Sequence, residues 1–154
     1  RHNITYALHQ NENKDGTKDG MDISVITLDK EKRHLEFAGA INPIYIIRNN
    51  ELIEIRGDRM SIGELDDNTK PFSNHSFELQ ENDIIYLFTD GYADQFGGND
   101  GKKLKYSTFK EILLEVHNQP LLNQEKLLWN KLLEWKNELQ QIDDILIIGI
   151  KIRN

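Results

Sequence analysis

The chain has 154 residues, with 19 Lys and Arg against 26 Asp and Glu for a net charge of −7, and no cysteine. That size fits one domain, and the acidic balance without any Lys/Arg-rich run excludes a nucleic-acid backbone or an anionic membrane as the main partner. The missing cysteine excludes disulfides, a thiolate nucleophile and a zinc ribbon. The longest apolar run, residues 145–150, is too short to span a bilayer. No signal-peptide pattern opens the chain, so the expected compartment is the cytoplasm. Arg1-His2-Asn3-Ile4 does not read as a translation start, and an internal fragment is expected.

Residues 10–20 are polar and turn-forming throughout, which predicts a flexible loop. The β-branched run at 23–28 predicts a strand buried on both faces; residues 29–32 turn the chain and 34–38 return it. Residues 44–48 and 52–56 flank Asn49-Asn50, and Asn tolerates left-handed dihedrals, so a tight hairpin is expected. Residues 57–75 read as loop, with Gly57, Gly63 and Pro71 among Glu64, Asp66 and Asp67. A third hairpin is expected from residues 76–79, a turn at Glu81-Asn82-Asp83 and a buried strand at 84–88 that ends in Thr89-Asp90-Gly91.

The period then becomes helical. Ser107 is expected to cap a helix with Phe109, Ile112, Leu113 and Val116 on one face. Asn123 is expected to cap a second helix with Leu128, Leu132, Trp135 and Leu139 on one stripe. A last strand is expected from Ile145 to Ile152. There is no internal repeat and no long linker, so residues 1–154 are expected to form a single α+β domain rather than a βαβ series.

Three acidic positions stand out. Asp90-Gly91 directly follows a buried strand, where a rigid element would hold the carboxylate; Asp-Gly is also a common turn dipeptide. Asp94 lies four residues on, facing the same way if a helical turn begins there, or else a solvated loop acid. Asp143-Asp144 precede the apolar run 145–150; two adjacent acids repel one another, although a strand must begin with something polar. Together, carboxylates from separate strand ends describe a hard-cation site for Mg²⁺ or Mn²⁺, which neutralises phosphate oxygens and lowers the pKa of a bound water. His2, His9, His34, His75 and His117 show no metal spacing. No nucleophile-elbow, phosphate-loop or dinucleotide glycine pattern is present. Trp129 and Trp135 are expected to pack, and Gly39 to mark a close backbone contact.

Four motifs occur in order: Gly20-Met21-Asp22-Ile23, Phe37-Ala38-Gly39-Ala40-Ile41-Asn42-Pro43, Leu87-Phe88-Thr89-Asp90-Gly91-Tyr92-Ala93-Asp94-Gln95-Phe96 and Gln141-Ile142-Asp143-Asp144-Ile145. From about Asp19 to the end this set resembles the C-terminal part of a SpoIIE-like serine phosphatase domain, in the bacterial branch of the metal-dependent PPM protein phosphatases. The resemblance implies an αββα sandwich of two antiparallel sheets with flanking helices. It implies two Mg²⁺ or Mn²⁺ ions and a metal-bound hydroxide that attacks phosphoserine or phosphothreonine.

By the same resemblance Asp90 and Asp143 are catalytic metal ligands and Asp94 can hold a further, weaker metal. Gly91 and Asp144 support these ligands from behind, and Gly39 and Asn42 belong to a structural turn. The implied substrate is a phosphorylated protein, an anti-sigma-factor antagonist in bacterial sigma-factor signalling. The family's earlier Gly-Asp strand, with the Asp that bridges both metals, has no counterpart here. The 154 residues alone are therefore expected to be inactive, to bind Mn²⁺ weakly and to form a homodimer through an exposed sheet. Two other readings stay open: a non-catalytic interaction module that retains the fold, and a different Mg²⁺-dependent phosphoester hydrolase.

Overall fold

Short β-branched runs divided by Asn, Asp and Gly turns fold into antiparallel strands in a computed structural model, which describes residues 20–63 and 70–153. Apart from Gly20, the loop expected at 10–20 lies outside the described residues, as do Glu64, Asp66 and Asp67. The architecture is α+β with antiparallel sheets, as expected. The chain divides into two compact units, one up to Pro43 and from Ile55 to Leu79, the other Ile44–Glu54 and from Gln80 onward.

The first unit holds a three-stranded sheet in the order β1 (Ile23–Asp29), β2 (His34–Ala40), β5 (His75–Glu78). Central β2 buries Leu35 and Phe37 and exposes Glu36 between them, the alternation of a half-solvated sheet. Strand β1 is not buried on both faces. It lies at the sheet edge, with Val25 52% exposed and Thr27 exposed beside it. After β2 the chain doubles back so closely that a Cβ on Gly39 would lie 2.6 Å from the Asn42 carbonyl oxygen and 3.0 Å from Gly57 Cα. Gly39 is therefore structural, as expected, and the Asn42 carbonyl accepts the Ser24 hydroxyl at 3.0 Å.

The second unit holds a four-stranded sheet in the order β4 (Glu51–Ile55), β3 (Ile44–Arg48), β6 (Ile84–Phe88), β9 (Ile147–Lys151). Asn49 and Asn50 sit at φ 50° and 65°, the left-handed pair that a two-residue hairpin needs. The hairpin expected over 76–88 does not form: β5 pairs with β2, whereas β6 pairs with β3 and β9. The chain changes sheet at Gln80–Asp83, because the partner of each strand is chosen by burial and not by the proximity of a turn.

Beyond β6 come a single helical turn α1 (Gly91–Asp94), a small hairpin of β7 (Phe96–Gly97) and β8 (Lys102–Lys103), and two longer helices, α2 (Lys105–Val116) and α3 (Leu121–Lys136). Neither expected cap is used. Buried Leu104 precedes α2, leaving Ser107 inside it, and Pro120 precedes α3, leaving Asn123 in its first turn. Apolar anchoring and the preset φ of proline set these starts. Asn137, at φ 49°, ends α3 before Leu139, which is exposed.

The core of this unit joins the sheet to the helices through aromatic contacts, with Tyr45–Phe88 at 4.6 Å, Phe88–Phe109 at 5.1 Å and Tyr92–Phe109 at 4.8 Å between ring centroids. Trp135 is half-buried, but Trp129 is 53% exposed, on the wall of a groove of about 470 Å³ shared with Leu121, Leu128, Ile145 and Gly149. No helix among the described residues is long and apolar enough to cross a membrane.

At the start of β6 the fully buried Asp83 carboxylate pairs with Arg48 at 2.6 Å and accepts the Gln80 amide at 2.8 Å. The Asp83 charge is thus matched inside the fold, and removing its partner alone leaves a buried anion. Arg48→Met should lower stability by about 3 kcal/mol, read from the midpoint of urea unfolding at neutral pH.

Candidate active site at the ends of β6 and β9

Paired residues Phe88 and Ile147 are the last rung of the β6–β9 ladder. Past this rung the chains stay together through Thr89, by its hydroxyl and by its backbone amide. Thr89 Oγ1 donates to the Asp144 carbonyl at 2.7 Å and accepts the Leu146 amide at 2.9 Å, and the Thr89 amide donates to the Leu146 carbonyl at 3.1 Å. That is why β9 begins at Ile147 and not at Ile145, as the apolar run predicted. A Cβ on Gly91 would lie 2.5 Å from the Asp144 carbonyl oxygen, so the chain after Asp90 packs on the same peptide. The structure thus brings the Asp90 strand end and the Asp143-Asp144 strand mouth together.

Asp90 is half-buried and stands before α1, where the Asp94 amide donates to the Asp90 carbonyl at 2.9 Å. Asp143 and Asp144 are exposed. Asp143 Oδ1 accepts the Asp144 amide at 2.7 Å, and its carbonyl accepts Gln141 Nε2 at 2.7 Å, which shapes the loop before β9. Asp94 lies on the helical turn that its spacing from Asp90 suggested, but its carboxylate is held by Lys103 at 2.6 Å.

Sequence reasoning missed three groups here. Lys103 gave no signal, because β8 reaches Asp94 only through the small hairpin. Gln95 is fully buried; its Nε2 donates to the Gln140 carbonyl at 2.9 Å and its own carbonyl accepts Trp135 Nε1 at 3.0 Å. Thr89 stood inside the Thr-Asp-Gly motif without a role. Two buried phenols lie close by in the chain, Tyr86 donating to Gln124 Oε1 at 2.6 Å and Tyr92 to the Leu128 carbonyl at 2.9 Å. Burial pushes both well above the ordinary tyrosine range, so they remain protonated donors at neutral pH.

The donors Asp90, Asp143 and Asp144 are all hard oxygen, which suits Mg²⁺ or Mn²⁺. Among the described residues no group of three or more His, Asp or Glu side chains comes together as a finished metal site. The chain fits a hard cation as a partial ligand set from two neighbouring strand ends.

A family model for Stage II sporulation protein E (SpoIIE) matches residues 2–153. The chain belongs to the SpoIIE family. No curated protein matches the chain in sequence. Among solved structures, the SiaA-PP2C domain of Pseudomonas aeruginosa is similar at 29% identity and TM-score 0.81, over 96% of this chain and 56% of that one. The RsbU and RsbW domains of Rv1364c from Mycobacterium tuberculosis are similar at 16% identity and TM-score 0.72, over 97% and 40%. The serine threonine protein phosphatase PstP in complex with 2 manganese ions is similar at 14% identity and TM-score 0.64, over 99% and 66%. This SpoIIE-family chain thus has the PP2C-type phosphatase fold and spans about half the length of the SiaA domain.

The Gly91 contact carries a direct expectation. Gly91→Ala must displace the Asp144 carbonyl, which Thr89 also holds. It should cost about 1–3 kcal/mol in chemical denaturation, with near-native circular dichroism before the transition.

Proposed function

We propose that this chain belongs to a metal-dependent serine/threonine protein phosphatase, with Asp90 and Asp143 as ligands of a Mg²⁺ or Mn²⁺ ion. The observation that carries this is the joining of the two acidic strand ends by Thr89 and Gly91, in a chain of the SpoIIE family with a PP2C-type fold. The two manganese ions of the PstP structure support the choice of metal. A bound ion of this kind neutralises phosphate oxygens and lowers the pKa of a water it holds.

The chain's own contribution is placement. Asp90 presents oxygen donors from the end of β6 and Asp143 from the loop before β9, and Asp144 orients that loop through its backbone. Without a cation this acidic edge would repel a phosphate dianion, so phosphoester binding and metal binding are coupled there. Asp94 is the weaker ligand, because it must leave Lys103 to reach an ion.

The substrate is a phosphoserine or phosphothreonine protein, and the motif resemblance favours an anti-sigma-factor antagonist in cytoplasmic signalling. β9 ends the order of the described sheet and carries Ile148 44% exposed, so pairing with a second copy would go through that edge.

In the full protein carrying this chain, Mn²⁺-dependent phosphate release from a phosphoserine peptide should fall roughly a thousandfold or more in Asp90→Asn and in Asp143→Asn. The circular dichroism of both variants should stay unchanged, since relieving like-charge repulsion does not destabilise the fold. Activity within a few-fold of wild type in either would overturn the assignment. Asp94→Asn should mainly raise the Mn²⁺ concentration needed for half-maximal rate, and Lys103→Met should lower it, both read from metal titrations of the rate.

A further inference from the structure

The three hydrogen bonds of Thr89 all run from the residue directly before Asp90 to the stretch directly after Asp143. Its hydroxyl works in both directions at once, donating to the Asp144 carbonyl at 2.7 Å and accepting the Leu146 amide at 2.9 Å. The ladder ends at Phe88 and Ile147, and beyond it the Thr89 hydroxyl adds two bonds to a single main-chain bond, the Thr89 amide to the Leu146 carbonyl at 3.1 Å. On its other side the Asp144 carbonyl meets the Gly91 backbone. The peptide that follows Asp144 is therefore gripped between the two neighbours of Asp90.

We propose that Thr89 is a positioning residue that sets the spacing of the Asp90 and Asp143 carboxylates, an inference that rests on the cation site proposed above. Two carboxylates brought to one edge repel each other, and the loop at 141–144 is otherwise exposed. The Thr89 hydroxyl resists that separation, so the spacing is settled on folding rather than on metal binding. Only a hydroxyl on a short side chain can donate and accept at this place. Valine has the same shape and can do neither.

The test is Mn²⁺ binding by the full protein that carries this chain, followed by the electron paramagnetic resonance signal of free Mn²⁺. Thr89→Val should raise the Mn²⁺ dissociation constant about tenfold or more, and Thr89→Ser, which keeps the hydroxyl, should stay within about twofold of wild type. Urea unfolding of the metal-free variants is measured alongside. A residue that serves folding alone would lower the unfolding midpoint in Thr89→Val while the folded protein kept its Mn²⁺ affinity, and that result overturns the inference. Thr89→Ala makes the same comparison where the valine variant does not fold. Asp90→Asn separates the two layers. If it binds Mn²⁺ as wild type does, or if the wild-type full protein binds none, the cation site itself is wrong. If it loses binding while Thr89→Val keeps it, only the role of Thr89 falls.

Discussion

The register of β6 against β9 is set by hydrogen bonds at both ends of the strand. At its start, the Ile152 amide donates to the Asp83 carbonyl at 2.9 Å and the Asn82 amide to the Ile152 carbonyl at 3.0 Å, while the Asp83 carboxylate binds Arg48 and the Gln80 amide. At its end, Thr89 binds Asp144 and Leu146. A slip of one residue between these points would turn every side chain of β6 to the opposite face. It would take Tyr86 and Phe88 out of the aromatic core and carry Asp90 away from Asp143. The aromatic core and the acidic edge thus depend on one register.

That register also separates two kinds of charge. Arg48 and Asp83 lie at the start of β6, where the carboxylate is buried and its partner is inside the protein. Asp90, Asp143 and Asp144 lie at the other end, half-buried or exposed. The cation seen nearby, Lys103, is committed to Asp94. The Asp83 charge is already matched inside the fold, whereas the acids at the other end are of the kind a hard cation takes. The same strand therefore carries a structural carboxylate at one end and candidate ligands at the other.

How much of this could be read from the residues depended on how local the cause was. The Asn49-Asn50 hairpin was legible because two left-handed residues decide it between themselves. The antiparallel α+β architecture was legible because β-branched runs and helical stripes are local patterns too. The hairpin expected over 76–88 failed because the Glu81-Asn82-Asp83 turn says nothing of which strands lie beside β5 and β6. The caps at Ser107 and Asn123 failed because buried Leu104 and the preset dihedral of Pro120 acted a few residues earlier. A place in the helical region predicts packing for Trp129, but α3 turns it to the wall of an open groove.

By itself the sequence determined the family, through the order of its motifs, and the hard-oxygen character of any site, because it holds acids at strand ends and no cysteine. It could not show that Thr89 reaches Asp144 across 55 residues, that Gly91 is needed because that same carbonyl leaves no room for a Cβ, or that Lys103 holds Asp94. These contacts join residues that share no local pattern. The pairing of β6 with β9 makes Thr89 and Gly91 neighbours of Asp144, and the β7–β8 hairpin brings Lys103 to Asp94.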